Sequence, residues 1–264
     1  MKKAFICCTC GVEYAAAERP PSKCPICEDD RQYVMPGGQR WTTMEEVNQS
    51  HKNVLEKEAS ALYGLYSVPT FAIGQRAHLL ITPGGNILWD CITNLDETTI
   101  EVVKKFGGLR AICISHPHYF SALETWSRAF GDVPVYVHAA DAEWLAYSTP
   151  VVRLWEEDEQ SLWDGIRLIR LGGHFPGGNV LYWPEKKALL TGDVIQVCPD
   201  LKSVSCMYSY PNLIPLPEKD IRWILERTES LAYDSVYGAF GRNILSDGKQ
   251  AVTASLKRYL SIYS

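Results

Sequence analysis

The chain has 264 residues, 46% of them hydrophobic and 22% charged, and a net charge of -5. This composition excludes wholesale disorder, and the negative balance argues against a general affinity for phosphate backbones, so nucleic acid is not an expected partner. No apolar run approaches the roughly 18 residues of a membrane span, and the apolar stretch after the basic start "MKKAFICCTC" is too short for a signal peptide.

Residues 1–38 read as a small module, followed by a main domain over 39–264. Cys7-x-x-Cys10 and Cys24-x-x-Cys27, with Gly11 and Pro25 in the hairpins, set four thiolates in two knuckles, which suits a closed tetrahedral zinc site. Cys8 is left out because only Cys7 has the two-residue spacer to Cys10. A segment this small has no core without such a staple. The module resembles a zinc ribbon or a truncated rubredoxin: "CPIC" matches the rubredoxin half-site, while the stretch between the knuckles, from Gly11 to Lys23, is far shorter than that family's insert. Zinc is the expected ion and iron the alternative. With four thiolates no coordination position is open, so this ion holds structure or carries an electron.

Four of the nine cysteines fall between Cys7 and Cys24, and such clustering suits a reducing compartment, hence the cytoplasm. Cys91, Cys113, Cys198 and Cys206 lie in apolar segments and read as small core residues. Basic and acidic side chains balance over positions 1–35, so the module offers no basic stripe for nucleic acid.

Thr42 precedes Glu45 at capping-box spacing, and residues 42–66 are predicted to be mostly helical. From about Phe71 short strands take over. "AHLLIT" and "NILWD" flank the turn "PGG", "DETTIEVVKKFG" is a helix closed by Gly107, and "RAICIS" and "VPVYVHA" are strands separated by the helix "SALETWSRAFG". "AADAEWLAYS" is predicted helical, and "GIRLIRL", "GNVLYW" and "KALLTGD" are strands. Residues 195–216 are too long for a plain connection, and their aromatic content predicts a packed lid. A helix from about Pro217, the strand "DSVYGAF" and a helix from about Asp247 complete the chain. Strands first, then strands alternating with helices, predict a layered α/β domain with helices outside.

Three strand ends carry the groups for a second metal site. His116 and His118 lie two apart after "AICIS", a spacing that directs both imidazoles the same way if the backbone stays extended. His174 sits in "LGGHFPGG", between glycines that let the backbone turn, and Asp193 follows "KALLTG". Loops of this kind gather on one edge of a layered sheet.

Taken together, His116-x-His118, His174 and "TGD" with Asp193 resemble the metallo-β-lactamase fold superfamily over roughly residues 70–245. The resemblance implies an αββα sandwich with metal along one edge, Asp90 of "NILWDC" supporting the ligands, and in most members hydrolysis of esters, thioesters, amides or phosphodiesters. The departures are specific. The family pattern H-x-H-x-D-H reads Phe120 and Ser121 at its last two positions, and the family's final His is replaced by Ala239 in "YGAFGR". All three missing groups belong to the second metal position, whereas every ligand of the first is kept. A two-zinc site with two carboxylates and a bridging hydroxide has one net positive charge, and so does one zinc with three neutral imidazoles and one carboxylate.

The expectation is therefore one ion at His116, His118, His174 and Asp193, a small-molecule substrate or ligand, and a hydrolase without the family's usual base. A non-catalytic binding protein and an iron-dependent redox protein are the alternatives. Tyr119, Tyr208 and Tyr210 are candidates for proton transfer by position alone, and packing is the simpler role for each. His78 and His138 read as core or edge residues and His51 as a surface one, while Arg242 faces either the site or solvent.

Overall fold

The computed structural model describes residues 2–263; Met1 and Ser264, the outer bounds of the two expected segments, lie outside the described residues. Strand β1 (Ile6–Cys7), the short helix α1 (Pro25–Glu28), strand β2 (Trp41–Thr42) and helix α2 (Met44–Ser50) form the N-terminal part, with β1 antiparallel to β2. A first sheet follows in simple chain order: β3 (Lys52–Ala59), β4 (Leu62–Val68), β5 (Ala77–Leu80), β6 (Ile87–Trp89), β7 (Ala111–Cys113), β8 (Val135–His138) and β9 (Val152–Trp155). Pairing is antiparallel as far as β6 and parallel from there. The change follows from the connections: α3 (Glu97–Lys105) and α4 (Leu123–Ala129) cross over between parallel strands, which a tight turn cannot do.

The second sheet holds β10 (Glu159–Ser161), β11 (Arg167–Arg170), β12 (Asn179–Trp183) and β13 (Ala188–Gly192). The lid segment adds two small hairpins, β14 (Gln196–Val197) with β15 (Val204–Ser205) and β16 (Met207–Ser209) with β17 (Ile214–Pro215). After α5 (Glu218–Glu229), β18 (Ser235–Gly238) inserts parallel to β13, β19 (Asn243–Ile244) closes the sheet, and α6 (Gly248–Leu260) ends the fold.

Period-two alternation sorts the side chains into layers. Leu80, Ile87, Trp89 and Cys113 of the first sheet meet Leu168, Leu181, Trp183 and Leu190 of the second in one central cluster. Their chain neighbours Leu88 and Ile112 turn outward to Leu123 and Trp126 of α4. Ile169, Val180, Leu189 and Val236 turn outward to Ile221 and Ile224 of α5 and Val252 and Leu256 of α6. The result is the expected αββα sandwich. The outer cluster under α4 also contains Cys7, Cys10, Val12, Cys24, Ile26 and Cys27, so the cysteine module shares a core with the main body.

Residues 42–66 depart from the helical expectation. The helix stops at Ser50, and β3 and β4 form a hairpin across Ala61 in the left-handed region (φ 65°). The Lys- and Glu-rich stretch of β3 is helix-favouring in isolation, but β3 is the sheet's edge, where charged side chains discourage pairing with another chain. The capping box is one residue further on, with Thr43 accepting from the Glu46 amide and Glu46 from the Thr43 amide. In "AADAEWLAYS" only a 3-10 turn, Ala139–Trp144, forms.

Trp89 is fully buried between the sheets. Truncation to Ala there is expected to lower the unfolding free energy by about 3–5 kcal/mol, measured by urea denaturation; a loss below ~1 kcal/mol would contradict this packing.

Candidate metal centres

The four cysteines of the N-terminal knuckles converge as their spacing predicted. Cys7 Sγ lies 3.6 Å from Cys27 Sγ, and Cys10 Sγ lies 3.6 Å from Cys24 Sγ. These distances are far beyond a disulfide's ~2.05 Å and close to the ~3.8 Å edge of a tetrahedron with ~2.3 Å zinc–sulfur bonds. The Gln39 amide donates to Cys7 Sγ (3.0 Å) and the Tyr14 hydroxyl to Cys24 Sγ (3.3 Å), contacts that favour thiolates. Cys8 lies outside the set and is half-buried. Gly11 has φ +83°, and a Cβ on it would lie 2.3 Å from Thr93 Oγ1, which donates to its carbonyl. Only glycine allows the knuckle to seat this closely.

The second centre stands where β7, β11 and β13 end. Asp90, just after β6, accepts from the Ser115 amide through Oδ1 (2.7 Å), and Ser115 Oγ lies 2.8 Å from His116 Nδ1. The glycine of "TGD" makes room for this chain of contacts, since a Cβ on Gly192 would lie 2.5 Å from Ser115 Oγ. Asn179 Nδ2 clamps the end of β7 by donating to the Ile114 and Ser115 carbonyls. His116 is extended (φ -171°), but Pro117–Tyr119 is a 3-10 turn, so the two imidazoles converge across a turn and not along a strand as the spacing suggested. His174 follows Gly172 and Gly173, both at positive φ, and its Nδ1 faces the carbonyls of Tyr208 (2.8 Å) and Met207 (3.2 Å).

These contacts fix which nitrogen is free. Nδ1 of His174 faces only carbonyl oxygens and carries the proton, so its Nε2 presents a lone pair inward. That Nε2 lies 3.3 Å from His118 Nδ1, the edge length of a tetrahedron with ~2.0–2.1 Å zinc–nitrogen bonds. His116 Nε2 and Asp193 Oδ1 are buried with no hydrogen-bond partner among the described residues. Buried polar atoms normally have partners, and a cation satisfies all of these at once. Burial, then the neighbouring histidines, then Arg31 hold His116 well below the usual imidazole range. Burial lowers His174 to about 4 and raises Asp193 to about 7. The histidines are thus neutral ligands, and a divalent ion would restore Asp193 to its charged form.

The positions that the family pattern would give to a second ion carry other groups. Phe120 is buried in the cluster that holds the cysteine knuckles, and Ser121 gives its carbonyl to the Glu13 amide (2.9 Å). The Ala239 carbonyl accepts from the Tyr119 hydroxyl (3.2 Å) and the Arg76 amide (3.0 Å). Burial also pushes the Tyr119 phenol well above its ordinary value, which fits packing and not proton transfer. Tyr210 donates to the carbonyls of Asp193 and Ser205. The Tyr208 hydroxyl accepts from Arg31 Nη2 (3.3 Å). Arg242 is exposed, His78 is buried against Glu58, and His138 accepts from the Ala140 amide.

Sequence reasoning missed Gln75, whose Nε2 donates to both Cys10 O (2.8 Å) and His118 O (3.0 Å), and Arg31, whose guanidinium packs over the rings of Phe175, Tyr208 and Trp144. Ser115 carried a usable signal, a hydroxyl adjacent to a ligand histidine. Arg31, in the polar run "EDDRQY", carried none.

Comparison with known proteins agrees with this arrangement. The model of the metallo-beta-lactamase superfamily matches residues 73–216. The uncharacterized protein YmaE of Bacillus subtilis (strain 168) is 44% identical over 262 residues, covering 97% of this chain and 95% of its own. Among solved structures, DIM-1 metallo-beta-lactamase exposed to ceftazidime superposes with a TM-score of 0.60 at 18% identity, covering 80% of this chain and 95% of that one. FIM-1 from Pseudomonas aeruginosa in its mono-zinc form gives 0.58 at 16% identity, covering 80% and 96%. A peroxy diiron species of the chemotaxis sensor ODP gives 0.58 at 16%, covering 79% and 95%. At these identities the likeness is one of fold.

Two outcomes are expected. Ser115→Ala, which removes the support of His116, weakens metal binding at the histidine site by about 10–100-fold, read by competition with a chromophoric chelator; unchanged affinity would remove Ser115 from the support. Affinity for the second, weaker equivalent of zinc falls by about tenfold per pH unit below about 7, because zinc must displace one proton from Asp193. A decline that starts only near pH 4 would exclude Asp193 as a ligand.

Proposed function

The chain belongs to the metallo-beta-lactamase superfamily, and on that footing we propose that it is a metal-dependent hydrolase of a small substrate, working with one zinc ion at His116, His118, His174 and Asp193. The observation that carries this reading is the inward-facing set His116, His118, His174 and Asp193 beside a second position that has Phe120, Ser121 and Ala239 in place of three ligands. A zinc ion there would polarise a carbonyl or phosphoryl oxygen and acidify water. Asp193 Oδ2 lies 3.8 Å from His116 Nε2, wider than the ~3.3 Å tetrahedral edge. As a ligand through one oxygen, its carboxylate would leave the other to orient water and accept a proton. A second zinc in the four-cysteine cluster braces the wall of the site, and the reduced thiols suit the cytoplasm.

One observation favours a second reading. All four ligands are nearly inaccessible, with His116 and His174 at 1%, His118 at 3% and Asp193 at 4% exposure. A fully enclosed ion is what a non-catalytic binding protein would keep.

Elemental analysis of natively purified protein, with Cys24→Ala and His118→Ala variants, is expected to find two zinc ions per chain, each variant losing a different one. On a panel of esters, thioesters, lactams and phosphodiesters, His118→Ala is expected to reduce wild-type turnover by at least ~100-fold. Full occupancy with no turnover across the panel would transfer the assignment to the binding reading.

A further inference from the structure

Arg31 lies four positions beyond Cys27, outside the zinc-ligand pattern, yet it is 9% exposed. The cysteine module fixes it in place: the Arg31 amide donates to Asp29 Oδ1 (2.9 Å), and Asn212 of the lid donates to the Asp30 carbonyl (2.7 Å). Its guanidinium carbon lies 4.3 Å from the Phe175 ring centre, 4.8 Å from Tyr208 and 5.2 Å from Trp144. The Phe175 ring is in turn 5.0 Å from His118 and 5.1 Å from His174. Arg31 thus belongs to the wall of the histidine site, and its charge opposes protonation of His116, His118 and His174.

The guanidinium is incompletely matched. Nη2 donates to the Tyr208 hydroxyl at 3.3 Å, and Nε lies 3.5 Å from Asp29 Oδ1. Nη1 is buried with no acceptor among the described residues. Asp141, the other carboxylate whose charge couples to Arg31, already accepts from the Gly177 amide (2.6 Å). A dication held by three neutral imidazoles and one carboxylate keeps a net positive charge, and Arg31 sets a second one beside it in a poorly solvated wall. Two like charges so placed repel unless an anion lies between them, and a guanidinium is the side chain best shaped to take an oxyanion.

We propose that Arg31, supplied by the cysteine module, is the anion-recognition residue of the histidine site, and that the substrate carries a carboxylate or phosphate group held by Arg31 while its reacting group faces the metal. The inference rests on the proposed mononuclear centre. It explains why that centre is walled by a segment from the other metal module, since the cysteine-bound ion sets where Arg31 stands.

The test uses full-length protein loaded with cobalt, with His118→Ala protein as the spectral blank that isolates the histidine-site band. Acetate and inorganic phosphate are titrated separately into wild type, Arg31→Met and Arg31→Lys, each checked for cobalt content and thermal melting. At least one of the two anions is expected to perturb the band in wild type, with affinity at least tenfold weaker in Arg31→Met and partly recovered in Arg31→Lys; which anion acts assigns carboxylate or phosphate. Equal affinity in wild type and Arg31→Met, or no response to either anion, overturns the proposal while leaving the metal centre standing. Equal cobalt content and an identical spectrum in wild type and His118→Ala overturn the mononuclear reading itself. Should Arg31→Met fail to fold, Arg31→Lys carries the comparison, and undiminished affinity there rejects planar guanidinium recognition.

Discussion

Two candidate ion sites meet at one amide nitrogen. Gln75 Nε2 directs one hydrogen to the carbonyl of Cys10, inside a cysteine knuckle, and the other to the carbonyl of His118, inside the histidine centre. Gln75 is itself buried, so a donor left without its acceptor there would cost on the order of 1–3 kcal/mol. The contact therefore penalises any movement of one centre relative to the other. Around it the same coupling recurs, through the Glu13 amide on the Ser121 carbonyl and the Thr93 hydroxyl on the Gly11 carbonyl. The N-terminal segment is a wall of the site as much as an appendage to the fold.

Within that wall the ligands are arranged by groups that touch no ion. Carbonyls from the lid choose the His174 tautomer, Ser115 orients His116, and Asp90 holds Ser115 by its amide. Asp90 sits at φ 64°, a left-handed conformation that Asp tolerates better than most side chains, and that turn lets its carboxylate reach the end of β7. Burial supplies the rest by keeping the imidazoles neutral at physiological pH, the form in which they bind a metal.

The two clusters were legible in the sequence because metal chemistry narrows the choice of residue: only a few types can bind zinc, and their spacing survives whatever the surrounding loops do. The central strands were legible for a similar reason, since "NILWD", "RAICIS" and "KALLTGD" are buried on both faces and tolerate little else. The hairpin of β3 and β4 was not. Its Lys- and Glu-rich strand has helical propensity, and only its place at the edge of a seven-stranded sheet decides otherwise. The turn that aims His118 was hidden as well, because Pro117 permits both extended and 3-10 backbone. Gln75 and Arg31 were invisible for the plainest reason: each acts on a partner far away along the chain, Gln75 on Cys10 and His118 and Arg31 on Tyr208, and nothing in its own neighbourhood marks it.

Phe120, Ser121 and Ala239 also bear on how this chain can change. An aspartate at 120 would place a carboxylate in the apolar cluster that seats the cysteine knuckles, where a charge is costly to bury. An imidazole at 239 would have to displace neighbours of a buried alanine whose carbonyl anchors Tyr119 and Arg76. Installing either ligand would therefore disturb the seat of the module before a second ion could bind. The space that a second ion's ligands would need is the footing on which the cysteine module stands.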